Sequence, residues 1–282
     1  MMDGDTAGVH PSGSADRRCG VVTTMRQTRR SRDELRRTLL EEGRAILMEE
    51  GLDAGSSNLT FKRVFERVEE KTGTRVTNAS VIKRVWENQA DFQADVLVSI
   101  ARDEARPEVG GAVTAIAGLL GDLDLSSPES RAQALGQVCR VGGGATTVAL
   151  AESTNWPLWI SVVAMATATT TPEQQQRIKA ALSEGYRSVS KFWSENFAVL
   201  TELLGLRIRR PFTLEQFTMA AIAYSEGCSL RQRTSDHIEL VMRPSGPDGQ
   251  EQEWSLFAVG LEGLVHQFFE PDPDFPPTTT GP

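Results

Sequence analysis

The side chains able to do covalent or acid–base chemistry are few and scattered along this sequence. Histidine occurs at His10, His237 and His266, and cysteine at Cys19, Cys139 and Cys228. There is no Gly-x-Ser-x-Gly elbow and no His-Glu-x-x-His helix, so neither a strained nucleophile turn nor a paired-histidine metal face is on offer. The cysteines are too widely spaced for a zinc motif and odd in number for a disulfide framework, which leaves plain thiols, the last two suited to a core. Gly142-Gly143-Gly144-Ala145-Thr146-Thr147 has the small residues of a phosphate loop without its lysine. It follows a helix-like segment rather than a strand, so a helix break is expected there. The reading is of a protein that is not an enzyme, with no metal and no cofactor.

Chemistry of another kind, hydrogen bonding and charge without catalysis, gathers nearer the N-terminus. Arg26, Arg29, Arg30, Arg32, Arg36 and Arg37 stand against only Asp33 and Glu34, on a chain whose net charge is −8. Such a basic end on an acidic body can grip phosphates locally, or enter a minor groove as an arm, and it is equally well read as a solvated tail. Further on, Thr77, Asn78 and Ser80 place short hydrogen-bonding groups where a helix would start, and backbone amides at such an end favour a phosphate. Arg75 or Lys83 could reach a guanine edge and Arg84 adds charge. Simple helix capping accounts for Thr77 and Asn78 equally well. Val81, Val85 and Trp86 suit a core.

The elements that must position these groups read as an all-α fold. Residues 1–30 lack apolar periodicity and are expected to be a disordered arm. Ser31 with Glu34 has the form of a capping box, followed by Leu35, Leu39, Gly43, Ile46 and Leu47 on one helical face up to Gly51. Phe61, Val64, Phe65 and Val68 define a second amphipathic helix ended by Gly73, a short third is expected over Asn78 to Trp86, and Asn88 to Asp91 caps a fourth bearing Phe92, Val96 and Ile100. Pro107, Gly110 and Gly111 mark the junction between a domain at 31–106 and a larger one at 107–270. Candidate capping boxes recur at Ser126/Glu129, Thr170/Glu173 and Thr213/Gln216. Helices are expected over Pro172 to Leu204, with an interruption possible at Gly185, over Phe212 to Leu230 and over Trp254 to Phe269. A stray strand is read at His237 to Met242, a loop at Arg243 to Gly249 and a disordered tail at 271–282.

Two short helices joined by a turn within a three-helix packing are what a helix-turn-helix requires. From Ser31 to Ile100 the sequence resembles the DNA-binding domain of the tetracycline-repressor (TetR) family. The matching positions are Thr60 at the start of the second helix, Val76-Thr77 at the recognition turn, Trp86 for the family's phenylalanine, Asn88, and Asp91-Phe92 opening the fourth helix. Thr74 and Arg75 lengthen the turn, one further residue precedes Trp86, and Gln89 stands where the family has a phosphate-gripping lysine. The resemblance implies a regulator, most simply a repressor, that binds palindromic operator DNA as a homodimer and is released by a small apolar or aromatic effector. The DNA-binding positions would be Thr60, Arg75, Thr77, Asn78, Ser80, Lys83, Arg84 and Asn88.

The second half adds apolar surface rather than chemistry. Trp156, Trp159, Met165, Tyr186 and Trp193 could line an effector pocket with Asn155 as a polar anchor, or simply form core. The resemblance also implies a four-helix interface made by the last two helices, with Phe217, Ala221, Tyr224, Leu256, Val259, Leu264 and Phe268 as its apolar residues. An intramolecular core is the other account of them. The 39% hydrophobic content is ample for a core. The longest apolar run falls short of the roughly 20 residues that span a bilayer, and the N-terminus lacks the form of a signal peptide, so a cytoplasmic protein without membrane contact is expected. Two other functions remain open: a helical interaction protein with a degenerate helix-turn-helix, and a small-molecule-binding helical protein that does not bind DNA.

Overall fold

A computed structural model describes residues 31–51, 58–77, 81, 84–102, 107–167, 172–235, 240–246 and 249–275, with the backbone alone at 107–109. The expected arm at 1–30 lies outside these residues. The fold is all-α. Among the described residues run α1 (Arg32–Glu50), α2 (Phe61–Thr72), α3 (Gln89–Ala101), α4 (Pro107–Leu120), α5 (Pro128–Glu152), α6 (Asn155–Thr167), α7 (Pro172–Leu203), α8 (Leu214–Ser235) and α9 (Leu256–Phe268). Two small antiparallel pairs join them, β1 (Leu206–Ile208) with β4 (Phe269–Pro271), and β2 (Leu240–Pro244) with β3 (Glu251–Ser255).

Local chemistry sets the helix ends. At α1 the Ser31 hydroxyl accepts from the Glu34 amide while Glu34 accepts from the Ser31 amide, closing the capping box. Thr213 and Gln216 exchange the same pair of bonds before α8. At α5 the cap is Ser127, whose hydroxyl accepts from the Ser130 amide. The pairing expected of Ser126 with Glu129 is displaced because Asp124 takes the Ser126 amide and the Ser130 hydroxyl. Thr170 lies outside the described residues. Gly73 ends α2 in the left-handed region at φ 64°, as the sequence suggested.

Two apolar cores form. The first gathers Leu39, Ile46, Val64, Val68, Phe92 and Val96 from α1 to α3, together with Trp156, Trp159 and Val162 of α6 and Ile178 and Leu182 of α7. Phe61 stacks on Phe65 and Phe92, and Trp86 meets Phe92 edge-on. The second core joins Leu135 and Cys139 of α5, Phe217 and Ala221 of α8, Trp254, and Ala258 and Val265 of α9. The cores therefore do not divide at the chain junction near residue 107. Helix α6 and the first half of α7 belong with the N-terminal helices.

Four expectations are corrected or refined. The glycine run 142–144 is interior to α5 and breaks nothing. A Cβ on Gly142 would stand 2.7 Å from Ile116 and one on Gly143 2.7 Å from the Cα of Ala258, so these glycines let α4 and α9 approach α5 closely. Helix α7 is likewise continuous through Gly185, where a Cβ would meet the carbonyl of Ala101 at 2.3 Å. The tail starts later than residue 271: the Asp272 amide donates to Gly205 O at 2.8 Å, and Phe275 packs under the guanidinium of Arg131. The stray strand is half of a hairpin that takes in Arg243 and Pro244, which were expected in a loop. Arg243 pins this hairpin by stacking over Trp254 and pairing with Glu262 of α9 at 2.6 Å.

Candidate functional site

Three of the eight residues singled out for DNA binding open onto one groove beside the start of α2. Thr60 caps that helix by accepting from the Arg63 amide. Arg75 and Thr77 come from the exposed strand of chain after Gly73, held there because Val76 between them is buried. Lys62, Phe65, Glu66, Glu69 and Gln89 complete the walls. The groove is of mixed charge, Lys62 and Arg75 facing Glu66 and Glu69. Asn78, Ser80 and Lys83 lie outside the described residues. Arg84 is half-buried, and the Val85 amide beside it donates to Val81 O at 2.8 Å, a helix-like bond at the end of the expected third helix. Asn88 caps α3, its carbonyl oxygen accepting from the Asp91 amide at 3.0 Å.

Gln89 and Gln93 tie α3 to the entry of α2. The Phe61 amide donates to Gln89 Oε1 at 3.3 Å, and Gln93 Nε2 donates to Leu59 O at 2.8 Å. The side chain at the family's lysine position thus serves the N-terminus of α2. These partners are about 30 residues away in sequence, and no local pattern announces them.

A second feature missed in the sequence is Asp95. The Trp86 indole N–H and Arg36 donate to its Oδ2, each at 2.7 Å, and Arg177 of α7 donates to Oδ1 at 2.6 Å. One carboxylate, mostly buried, therefore joins α1, the segment before α3, and the long helix of the second half. Arg102 with Glu184 adds a second, exposed link between the same parts.

The far end of α7 reaches a cavity of about 80 Å3 in the second core. Trp193, Phe197 and Leu200 of α7, Ile116 of α4, Val138 and Gly142 of α5, and Ala221 and Ile222 of α8 are among its walls. Among the described residues no charged side chain lines it. The thiol of Cys139, also in the wall, is pushed up by burial and stays protonated.

The six residues read as an effector pocket are not brought together here. Trp193 alone lines the cavity. Trp156 and Trp159 are buried in the first core, with Met165 and Tyr186 packed against it, and Asn155 is half-buried at the start of α6. The seven residues read as an interface also divide. Phe217 and Ala221 are interior, 1% and 4% exposed, and Val259, Leu264 and Phe268 pack against the same core. Tyr224 donates its hydroxyl to Leu256 O at 3.1 Å, its ring lies against Gly260, and its pKa is pushed up to about 12, chiefly by burial. Leu256 is exposed. The outward apolar surface of α8 is instead Met219, Ala223, Gly227 and Leu230.

Among the described residues no three His, Cys, Asp or Glu side chains gather as a metal site would require, and no helix is long and apolar enough to cross a membrane. Comparison with protein-family models, with curated proteins and with solved structures returns no match for this chain.

Proposed function

We propose that this chain is a ligand-responsive DNA-binding regulator of the tetracycline-repressor type that acts as a homodimer on a palindromic operator. The observation that carries this reading is a shared helix. Near its start α7 holds Asp95 of the N-terminal bundle through Arg177, and from Trp193 onward it walls the apolar cavity. Arg177 and Phe197 are about 30 Å apart along the helix at 1.5 Å per residue. An effector that binds one setting of α7 better than another would shift the position of the bundle, and operator affinity would change by that difference and no more. Homodimerisation would use the outward faces of α8 and α9, which keep Met219, Ala223, Leu230 and Leu256 in solvent in the single chain.

The test is anisotropy of a labelled duplex carrying the gene's own upstream region. Replacing Lys83 and Arg84 with alanine is expected to weaken binding and to lower the salt slope by about one to two counterions. An unchanged affinity and slope in a folded variant rejects the reading. Gln89 capping α2, and Glu66 with Glu69 in the groove, favour a second reading in which the bundle docks a protein instead. Absence of any shift on that duplex at low salt selects it.

A further inference from the structure

We infer that the effector is an uncharged amphiphile, with an apolar body in the cavity and a hydroxyl or carbonyl head held between α5, α6 and α8 at Ser229 and Arg233. This inference rests on the effector reading of the cavity. The walls account for the body. The hydroxyls of Thr146, Thr201 and Ser225 already donate to carbonyls of their own helices at 2.8, 2.9 and 2.8 Å, so the cavity presents mostly carbon and these hydroxyls have no proton left to give. A ligand confined to it gains only apolar contact.

The character changes one turn along α8. Ile222 and Ser225 line the cavity, and Glu226, Ser229 and Arg233 continue the same helical face. Ser229 is 4% exposed and its hydroxyl has no hydrogen-bond partner among the described residues, nor has Arg233 Nε. The helices around this end keep the alignment that they have at the cavity. On α5, Cys139, Gly142 and Thr146 are in the wall, and Leu150 and Ser153 farther along accept from Arg233 Nη2 at 2.7 and 2.6 Å. On α7, which runs opposite to α8, Ser194 meets Thr218 and Tyr186 meets Glu226 eight residues farther on each helix. Trp156 follows Ser153 at the start of α6. Its backbone N–H donates to Ser153 Oγ, and its indole N–H, buried with the ring at 4% exposure, has no partner among the described residues.

Buried donors without partners are costly, which makes such groups the place to look for a missing oxygen. Two N–H donors and a hydroxyl call for an acceptor. The carboxylate of Glu226, which takes the Tyr186 hydroxyl at 3.3 Å, stands one turn before Ser229 on the same face of α8 and disfavours an anionic head. From Ala221 in the wall to Ser229 is about 12 Å along α8, a length that an eight-carbon chain spans.

The experiment is isothermal titration of the full chain with 1-octanol, 2-octanone, 1-chlorooctane and octanoate. The alcohol and the ketone are expected to bind about tenfold tighter or more than the chloride of similar shape. Trp156→Phe and Ser229→Ala, each checked by its melting curve, are expected to erase that preference while the chloride binds as before. Equal binding of alcohol and chloride leaves the cavity reading intact and overturns the polar head. Tightest binding of octanoate overturns the uncharged head. No binding of any of the four removes the cavity reading itself, and this inference with it.

Discussion

Both cores of this chain pack aromatic rings together, Phe61, Trp86 and Phe92 in the first and Phe197, Phe217 and Phe269 in the second, but they are filled differently. In the first, Phe92, Val64 and Val96 have no exposure, and a Cβ added to Gly43 would stand 2.8 Å from Val96. The second keeps a cavity of about 80 Å3 and is flanked by apolar side chains left in solvent, among them Met219 at 67%. Close packing holds one geometry, whereas a void and a bare face leave room for a ligand or for rearrangement.

The contrast breaks first at Phe92. Cutting Phe92 to alanine is expected to cost about 3 to 5 kcal/mol, because the ring is wholly buried and its neighbours cannot collapse into the space. Denaturant unfolding followed by circular dichroism measures this. A loss under about 1 kcal/mol would show the first core to be as loose as the second.

The junction between the cores is the next place to press. Asp95→Ala leaves Arg36, Arg177 and the Trp86 indole without their shared acceptor. Both arginines are about two-fifths exposed, 43% and 40%, so water recovers part of the loss and an overall cost of about 2 kcal/mol is expected. The sharper readout is coupling. In this variant a cavity ligand should still raise the melting temperature but alter operator affinity much less than in the parent chain. Full coupling retained would mean that the signal bypasses Asp95.

Filling the cavity gives a smaller effect of the opposite character. Ala221→Val adds two methyl groups where space exists, so stability should change by less than about 1 kcal/mol, against the 1 to 3 kcal/mol that overpacking of a filled core costs. The same change should weaken any cavity ligand, measured by its thermal shift. A cost of several kcal/mol would show that the second core has no room to give.

How much of this was legible in the sequence depends on how local the cause is. Capping at Ser31 and Thr213, the apolar face of α2 and the stop at Gly73 are written within four residues and were read correctly. The glycines of α5 look like a helix break because their purpose lies across a helix contact, at Ile116 and Ala258, which no local pattern contains; Gly185 makes a like approach to Ala101 within the long helix that the sequence suggests. The tryptophans fit either a pocket or plain core, and their sequence cannot separate the two. Which of them lines the cavity depends on how α6 and α7 pack on their neighbours, and of the three read that way Trp193 does. Asp95, Gln89 and Gln93 carried no signal, since each looks like an ordinary helix surface residue until its distant partner is seen.

The smallest effect concerns acid at the seam of α1 and α2. Glu49 and Glu50 at the end of α1 pair with Arg67 and Arg63 of α2, and these hydrogen-bonded guanidiniums hold both carboxyls below the ordinary 4.5. A carboxyl depressed in the folded chain contributes stability that is fully present above its unfolded value and is lost as pH falls through the lower, folded one. The α1–α2 seam should therefore be insensitive to pH from neutrality down to that ordinary value and loosen below it. Both groups are exposed, which keeps the effect slight. Hydrogen exchange at stepped pH, corrected for intrinsic rates, should show α2 amides losing protection in that window before the amides of α9. In a chain carrying Glu49→Gln and Glu50→Gln, which lacks these two carboxyls, the difference between α2 and α9 should shrink. If α9 loosens first, or the double variant follows the parent, these pairs do not set the acid response of the N-terminal body.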